Sequence, residues 1–213
     1  MRAHERPAAT RGSAKDQQMR RRIAVEAARI MAEQGIDDFL AAKRKAAGRL
    51  GVPETRNLPR NVEIEQELTA YQRLFQSATQ PHRLRRLREQ AREAMEFFAR
   101  FNSRLVGSVL EGTAGGHSDI DLHLFADTPE EVVLFLLQEH IPFERGERKL
   151  RVGRDQSAVF PVFRFVAGET PIDLTVFPVN GIRQAPCSPA DGRPMRRATL
   201  ETVVRMLAEP AGA

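Results

Sequence analysis

The first half of the chain carries apolar residues at the three- and four-residue spacing of one helix face. In the first such segment Ile23 and Ile30 share a face, and Gly35 follows as a C-terminal cap. Asn61 suits the start of a third segment as an N-terminal cap, and Pro81 suits the first turn of a fourth. The predicted helices cover about 16–34, 37–50, 61–75 and 81–98.

In the second half the period of the pattern shortens to two residues. Apolar and polar side chains alternate from residue 119 to residue 125, which is typical of a strand with one buried face. The apolar face is Ile120, Leu122 and Leu124, and the polar face is Asp119, Asp121 and His123. Further strands are predicted over 104–110, 149–153, 158–166 and 170–177, and further helices over 128–139 and 199–207. Pro161 lies inside one of these strands and indicates an edge or a bulge there.

Helices that precede a strand-rich half are typical of an α+β fold. We therefore expect a disordered basic tail over residues 1–15, a helical region over residues 16–80, and a mixed β-sheet backed by helices over residues 81–213.

The composition narrows the class of protein. The chain has 213 residues, of which 41% are hydrophobic and 29% are charged, as in a globular protein. A single cysteine, Cys187, excludes a disulfide within the chain and a cysteine-rich zinc site. The sequence has no apolar run of membrane-spanning length and no signal-peptide pattern, so we expect a cytoplasmic protein without a membrane partner.

Positive charge is concentrated near the N-terminus. Residues 1–60 contain 14 Lys and Arg against 7 Asp and Glu, whereas residues 61–213 contain 19 against 21. Such a basic segment can bind nucleic acid, or it can consist of solvated helix faces. The pattern leaves both interpretations open.

Three aspartates carry the candidate chemistry. Asp119 and Asp121 lie two residues apart on a strand, so their carboxylates project from the same face. Two like charges so close repel each other unless a cation lies between them. Mg²⁺ prefers such oxygen ligands, and Asp173 on another predicted strand, between Ile172 and Leu174, permits a second ion.

Glycines precede the aspartate pair. Gly107 ends a predicted strand, and further glycines follow at 112, 115 and 116. Glycine lets the backbone approach a ligand closely, and the N–H groups of such a loop can bind phosphate. The Ser108 hydroxyl adds a donor beside them.

Together these motifs resemble the polymerase-beta-like nucleotidyltransferase superfamily. Its signature is an apolar residue, Gly, Gly or Ser, a spacer, and Asp-x-Asp or Asp-x-Glu in an apolar strand. Here ten residues separate Val106-Gly107-Ser108 from Asp119-Ile120-Asp121-Leu122, and Ser118 lies directly before the aspartate pair. Ile172-Asp173-Leu174 resembles the third carboxylate of the superfamily. The resemblance covers about 75 residues and implies that residues 81–213 form a nucleotidyltransferase palm.

The resemblance also implies roles for the residues of these motifs. Gly107, Ser108 and Ser118 would bind a nucleoside triphosphate such as ATP. Asp119 and Asp121 would ligate two Mg²⁺ ions, and Asp173 would ligate the catalytic ion and orient or deprotonate the acceptor. The implied reaction transfers a nucleoside monophosphate to a hydroxyl of a protein, a small molecule or RNA, and releases pyrophosphate.

Other interpretations remain open at this point. The aspartates can form the solvated face of an edge strand. His123 lies in phase with Asp119 and Asp121, and we expect a partly exposed sheet residue there rather than a metal ligand. The palm can also be inactive and bind nucleic acid or a protein through the basic N-terminal helices. Glu111 places an acidic side chain near the expected phosphate loop. Four basic residues on predicted strands can reach phosphates or stay solvated: Arg148, Lys149, Arg151 and Arg164.

Overall fold

The computed structural model of the chain divides into two compact units, residues 1–75 and 76–213. The structure describes residues 9–36, 38–53, 55, 57–76, 79–115, 118–153 and 156–209. Within these ranges no helix combines the length and the apolar composition needed to cross a bilayer.

In the first unit, the residues that the structure describes form three helices: α1 (Ala9–Gln34), α2 (Phe39–Arg49) and α3 (Asn61–Phe75). Small side chains such as Ala27 and Ala46 are fully buried, which lets α1 pack closely against its neighbours. The Arg20 guanidinium donates to the Glu63 carboxylate at 2.6 Å and ties α1 to α3. These contacts give the unit a hydrophobic core of its own.

Two helix starts in the first unit differ from the sequence analysis. Helix α1 begins at Ala9 rather than near Asp16, while residues 1–8 of the expected tail lie outside the described part of the chain. Helix α2 begins at Phe39 because the Asp38 carboxylate accepts from two backbone N–H groups of its first turn. The expected start at Asp37 also lies outside the described part.

The described residues of the second unit form four helices, five strands and two short 3₁₀ turns. Its elements in chain order are α4 (Gln80–Phe97), β1 (Arg104–Val106), α5 (Gly107–Glu111), β2 (Ile120–Ala126), α6 (Pro129–Gln138), β3 (Glu144–Arg151), β4 (Ser157–Ala167), β5 (Thr170–Pro178) and α7 (Leu200–Ala208).

The five strands form one mixed sheet in the order β1-β2-β5-β4-β3. Strands β2 and β5 are parallel, and the other three pairs are antiparallel. On one face of β2 and β5, Ile120, Leu122 and Leu174 are buried in the core that α4, α6 and α7 share with the sheet. The α+β class and the mixed sheet backed by helices are thereby confirmed.

Two strands differ from the predicted bounds. The first ends at Val106 instead of continuing to Leu110, because Gly107 has a positive φ of 71° and the chain turns into α5. Strand β3 begins at Glu144, five residues before the predicted start. Its exposed edge position favours charged residues, so the apolar alternation that marks a strand is missing.

Pro161 lies where β4 has one partner only. It pairs with Glu147 of β3, whereas the pairing of β4 with β5 begins at Val162. Proline has no N–H to donate, and at this point the missing bond would fall outside the β4–β5 ladder. The predicted edge character therefore holds for this half of the strand.

Candidate active site

The Asp121 and Asp173 carboxylates lie side by side on the central strands of the sheet. Asp121 on β2 is the direct register partner of Asp173 on β5. Ile120 and Ile172 are buried on the face of the sheet that the helices cover. Because side chains alternate along a strand, Asp121 and Asp173 project from the opposite face. The Asp173 side chain is only 3% exposed, while Asp121 is partly exposed. The register therefore brings together two aspartates that are 52 residues apart in the sequence.

Asp119 precedes β2 and shares the electrostatic surroundings of this pair. Burial raises the pKa of the Asp119 carboxyl, and the negative charge of Asp173 raises it further. The nearby guanidinium groups of Arg164 and Arg148 act in the opposite direction. All three sequence-predicted aspartates thus influence, or are influenced by, the same cluster of charges.

Two arginines hold the Asp173 carboxylate. Arg148 donates from Nη2 to Asp173 Oδ2 at 2.9 Å, and Arg164 donates from Nε to the same oxygen at 2.8 Å. Arg148 Nη1 also donates to Thr175 Oγ1 at 3.1 Å and lies 3.7 Å from Asp121 Oδ1. The sequence pattern leaves the role of both arginines open, because the start of β3, which places Arg148 within a strand, is not visible in it.

The edge strand makes room for Arg164. A Cβ atom built on Gly146 of β3 would lie 3.1 Å from Arg164 Nη1, which is tighter than an ordinary contact. Arg164 is also the register partner of Asp173 across β4 and β5. The small residue at 146 thus lets the guanidinium lie over β3 while its Nε reaches the carboxylate.

One carboxylate oxygen of Asp173 has no donor in the part of the chain that the structure describes. Asp173 Oδ1 is buried and accepts no hydrogen bond from those residues, although a buried carboxylate oxygen ordinarily has a partner. Oxygen ligands from two adjacent carboxylates suit a hard cation such as Mg²⁺. Because Asp173 Oδ1 lacks a donor in that part of the chain and Asp121 lies beside it, the two carboxylates fit a divalent ion.

The three aspartates do not form a ready three-carboxylate metal site. Among the described residues, no group of three His, Cys, Asp or Glu side chains is arranged to hold a metal ion. The β2–β5 register brings Asp121 and Asp173 together, and metal ligation by Asp119, Asp121 and Asp173 stays a prediction.

Gly107 is required for the placement of Asp121. Its φ of 71° lies in the region that favours glycine, and a Cβ atom built there would collide with Asp121 Oδ2. Val106, the preceding residue, is the register partner of Asp121 across β1 and β2. The glycine motif and the aspartate motif are thus two halves of one packing arrangement.

The two serines of the signature lie on either side of one turn: Ser108 is in the first turn of α5, and Ser118 is on the loop between α5 and β2. The Ser108 carbonyl accepts from three backbone N–H groups, those of Gly112, Thr113 and Ala114. The Ser118 hydroxyl is buried and accepts from the Gly115 N–H at 2.9 Å. These bonds fix the described part of the loop, whereas the Gly116 expected in it lies outside the described residues.

The acidic residue near this loop is neutralised. Arg196 Nη1 donates to Glu111 Oε2 at 2.9 Å. The ion pair lowers the repulsion that an isolated Glu111 would exert on an incoming phosphate.

His123 is buried, and the expectation of a partly exposed residue is wrong. Its Nδ1 accepts from Arg197 Nε at 3.0 Å, and its ring lies 4.5 Å from that of Phe177. Burial, followed by the charges of Arg197 and Arg148, holds the pKa of His123 well below its usual value. The imidazole is therefore neutral at pH 7. Burial likewise lowers the pKa of Arg197 to about 10, and its guanidinium lies 5.0 Å from the Phe125 ring.

Comparison with known proteins identifies a similar family for part of the chain. Residues 84–154, a third of the chain, match the family model of the nucleotidyltransferase domain. The matched segment includes Gly107, Asp119 and Asp121 and ends before Asp173. A search of curated proteins finds no significant match. The family match confirms the resemblance to the polymerase-beta-like nucleotidyltransferase superfamily.

Proposed function

We propose that the nucleotidyltransferase domain of this chain transfers a nucleoside monophosphate from a nucleoside triphosphate to a hydroxyl acceptor. Nucleotidyl transfer in general is supported by the family match. The observation that carries the proposal is the register pair of Asp121 and Asp173, which lies against Gly107 and leaves the buried Asp173 Oδ1 without a donor.

Each residue of the signature has a role in this proposal. Asp121 and Asp173 would hold Mg²⁺, with Asp119 as the further ligand for a second ion. Bound Mg²⁺ would supply charge stabilisation for both the attacking and the leaving oxygen. Backbone N–H groups beside Gly107 and the Ser108 hydroxyl would bind phosphate oxygens, while Ser118 would hold the loop in place.

The proposed transfer needs only the nucleoside triphosphate and the acceptor hydroxyl as reactants. The acceptor oxygen forms a bond to the α-phosphorus as the bond from that phosphorus to the bridging oxygen breaks. Pyrophosphate leaves, and the hydroxyl proton passes to a carboxylate of the site, for which we propose Asp173. The acceptor class, whether a protein side chain, a small molecule or an RNA end, is the open part of the proposal.

A titration of ATP, GTP, CTP and UTP, each with and without Mg²⁺, tests the proposal. The informative variant is Asp121→Asn, which keeps the shape of the side chain and removes the charge. Asp127→Asn is the matched control, because Asp127 directly follows β2 and is exposed outside the site. We expect magnesium-dependent binding of at least one nucleotide. The affinity should fall more than about tenfold in Asp121→Asn and stay unchanged in Asp127→Asn.

The opposite result has an equally definite meaning. If no nucleotide binds to the wild-type chain, or if Asp121→Asn and Asp127→Asn behave alike, the carboxylate pair does not act as a nucleotide site. The proposed transfer reaction would then be abandoned.

The charge distribution supports a second candidate function. An inactive palm can serve as a scaffold while the basic first unit, with 15 Lys and Arg against 10 Asp and Glu, binds nucleic acid. Binding of this kind weakens steeply with added salt, because it releases counterions from the phosphates. It would also survive in Asp121→Asn, whereas nucleotidyl transfer would not.

A further inference from the structure

Positive charge stands directly beside the proposed metal ligands. Asp119, Asp121 and Asp173 bring three negative charges to the site when ionised, and Arg148 and Arg164 bring two positive charges. The second unit as a whole contains equal numbers of basic and acidic residues, so this concentration is local. A site built only to attract free Mg²⁺ has no need of either guanidinium.

Arg148 is the one of the two that reaches both carboxylates. Its Nη2 donates to Asp173 Oδ2 at 2.9 Å, and its Nη1 lies 3.7 Å from Asp121 Oδ1. Arg164 contacts Asp173 through Nε. A third of the Arg148 side-chain surface is exposed, so a ligand arriving from solvent can reach it.

Two consequences follow from a guanidinium at this position. It repels a divalent cation approaching Asp121 and Asp173, and its attraction to the carboxylates must be replaced when that cation binds. It also offers a planar set of N–H donors, and this geometry matches phosphate oxygens. A metal ion that arrives with a triphosphate brings a new partner for Arg148, whereas a free metal ion does not.

We propose that Arg148 is a specificity-determining residue that disfavours binding of free divalent metal and favours the metal–nucleotide complex. In this account the phosphates take the guanidinium over from the carboxylates, so that metal binding is coupled to nucleotide binding. Arg164 keeps its contact with Asp173 Oδ2 and leaves Oδ1 available. The inference rests on the proposed function, because it assigns Asp121 and Asp173 to the metal.

The experiment separates binding of metal alone from binding of nucleotide. Mn²⁺ is titrated without nucleotide and followed by electron paramagnetic resonance of the free ion. Nucleoside triphosphates with a methylene group between the α- and β-phosphorus are titrated with Mg²⁺ by calorimetry, so that no transfer occurs. Wild type, Arg148→Gln and Arg148→Lys are compared in both titrations.

Lys149→Gln is the matched control. It removes one positive charge from the next residue of β3, whose exposed side chain projects from the opposite face of the strand. An effect of overall charge would appear equally in Lys149→Gln and Arg148→Gln, whereas a local effect would appear only in Arg148→Gln.

We expect Arg148→Gln to bind Mn²⁺ alone about tenfold more tightly and the magnesium–nucleotide complex about tenfold more weakly than wild type. Lys149→Gln should match wild type in both titrations. Unchanged or weaker Mn²⁺ binding in folded Arg148→Gln, with normal nucleotide binding by wild type, would overturn this inference alone. Absence of nucleotide binding by wild type would instead overturn the proposed function and the inference with it.

If Arg148→Gln does not fold, Arg148→Lys tests the proposed role of Arg148 instead. Lysine keeps the positive charge and loses the planar set of donors. Mn²⁺ binding should then stay as weak as in wild type, while nucleotide binding weakens. Tighter Mn²⁺ binding, or nucleotide binding equal to that of wild type, would contradict the role of Arg148.

Discussion

At the scale of single residues, glycine is needed at position 107 for two reasons, of which the sequence shows only one. The motif predicts a glycine there because the backbone approaches a phosphate closely. The structure adds a second cause, since any Cβ at position 107 would collide with the carboxylate of Asp121. The left-handed backbone at this position also disfavours every other residue.

We therefore expect Gly107→Ala to displace Asp121 and to weaken nucleotide transfer by about 100-fold, since small misplacements of reacting groups have effects of that size. Gly48→Ala is the control, because nothing lies within 4 Å of a Cβ at that helical position. Alanine there should raise the free energy of unfolding by about 0.5–1 kcal/mol. Transfer rates and urea unfolding of the two variants check both statements, and equal rates would contradict the first.

His123 gives a prediction about pH. In the unfolded chain His123 takes up a proton below about pH 6.5. In the folded chain its pKa is lowered well below that value, so the unfolded state binds more protons and folding becomes less favourable as the pH falls. The contribution is absent above about pH 7 and grows as the pH falls below about 6.5.

His123→Gln keeps an acceptor for Arg197 and cannot titrate, so this variant should lose less stability on acidification. Urea unfolding of both proteins between pH 8 and pH 5 measures the difference. Parallel curves for wild type and variant would show that His123 is not the group responsible.

At the scale of elements, the sequence predicts those strands and helices that carry their own pattern. Strand β2 was recognisable because its apolar side chains alternate with Asp121 and His123, which lie on the face opposite Ile120 and Leu122 as expected. Helix α7 was recognisable from Thr199, whose hydroxyl accepts from the Thr202 N–H. Two elements without a marked pattern of their own were not visible: the early start of β3 depends on pairing with β4, and the five-residue helix α5 follows from the turn at Gly107.

Some residues of the candidate site can be predicted from the sequence and others cannot. The aspartates and glycines can be predicted, because their spacing along the chain is itself the motif. The contacts of Arg148 and Arg164 were not found, because they depend on the β3–β4 and β4–β5 registers, and the residue pattern within one strand does not show how that strand aligns with its neighbour.

Two threonines at helix starts give a prediction for an element. Thr199 caps α7 through its side chain, whereas Thr128 at the start of α6 makes no such bond. Thr199→Ala should lower the free energy of unfolding by about 1 kcal/mol, and Thr128→Ala should leave it nearly unchanged. Denaturant unfolding compares the pair, and equal values for both variants would show that the Thr199 hydroxyl does not stabilise α7.

At the scale of the whole molecule, the two units have separate hydrophobic cores. The core of the first unit is drawn from α1, α2, α3 and the segments that join them. The core of the second is drawn from the sheet and from α4 to α7. No residue belongs to both clusters among the described residues, so the second unit has what it needs to fold independently.

We expect residues 76–213, expressed alone, to unfold cooperatively and to bind the magnesium–nucleotide complex within about threefold of the full chain. Removal of the first unit should abolish any salt-sensitive binding of nucleic acid, because that unit carries the excess of positive charge. Circular dichroism and calorimetry test the fragment. A fragment that folds without binding nucleotide would show that the first unit contributes to the site.

The place of β5 in the sheet has a consequence for fragments of this protein. The family match ends at residue 154, yet β5 comes later in the chain and lies between β2 and β4. A chain divided after residue 154 would leave Asp121 in one piece and Asp173 in the other, and neither piece could complete the sheet. Reassembly of the two pieces would restore the carboxylate pair. The proposed transfer activity of a chain divided at this point would therefore measure association of its two halves.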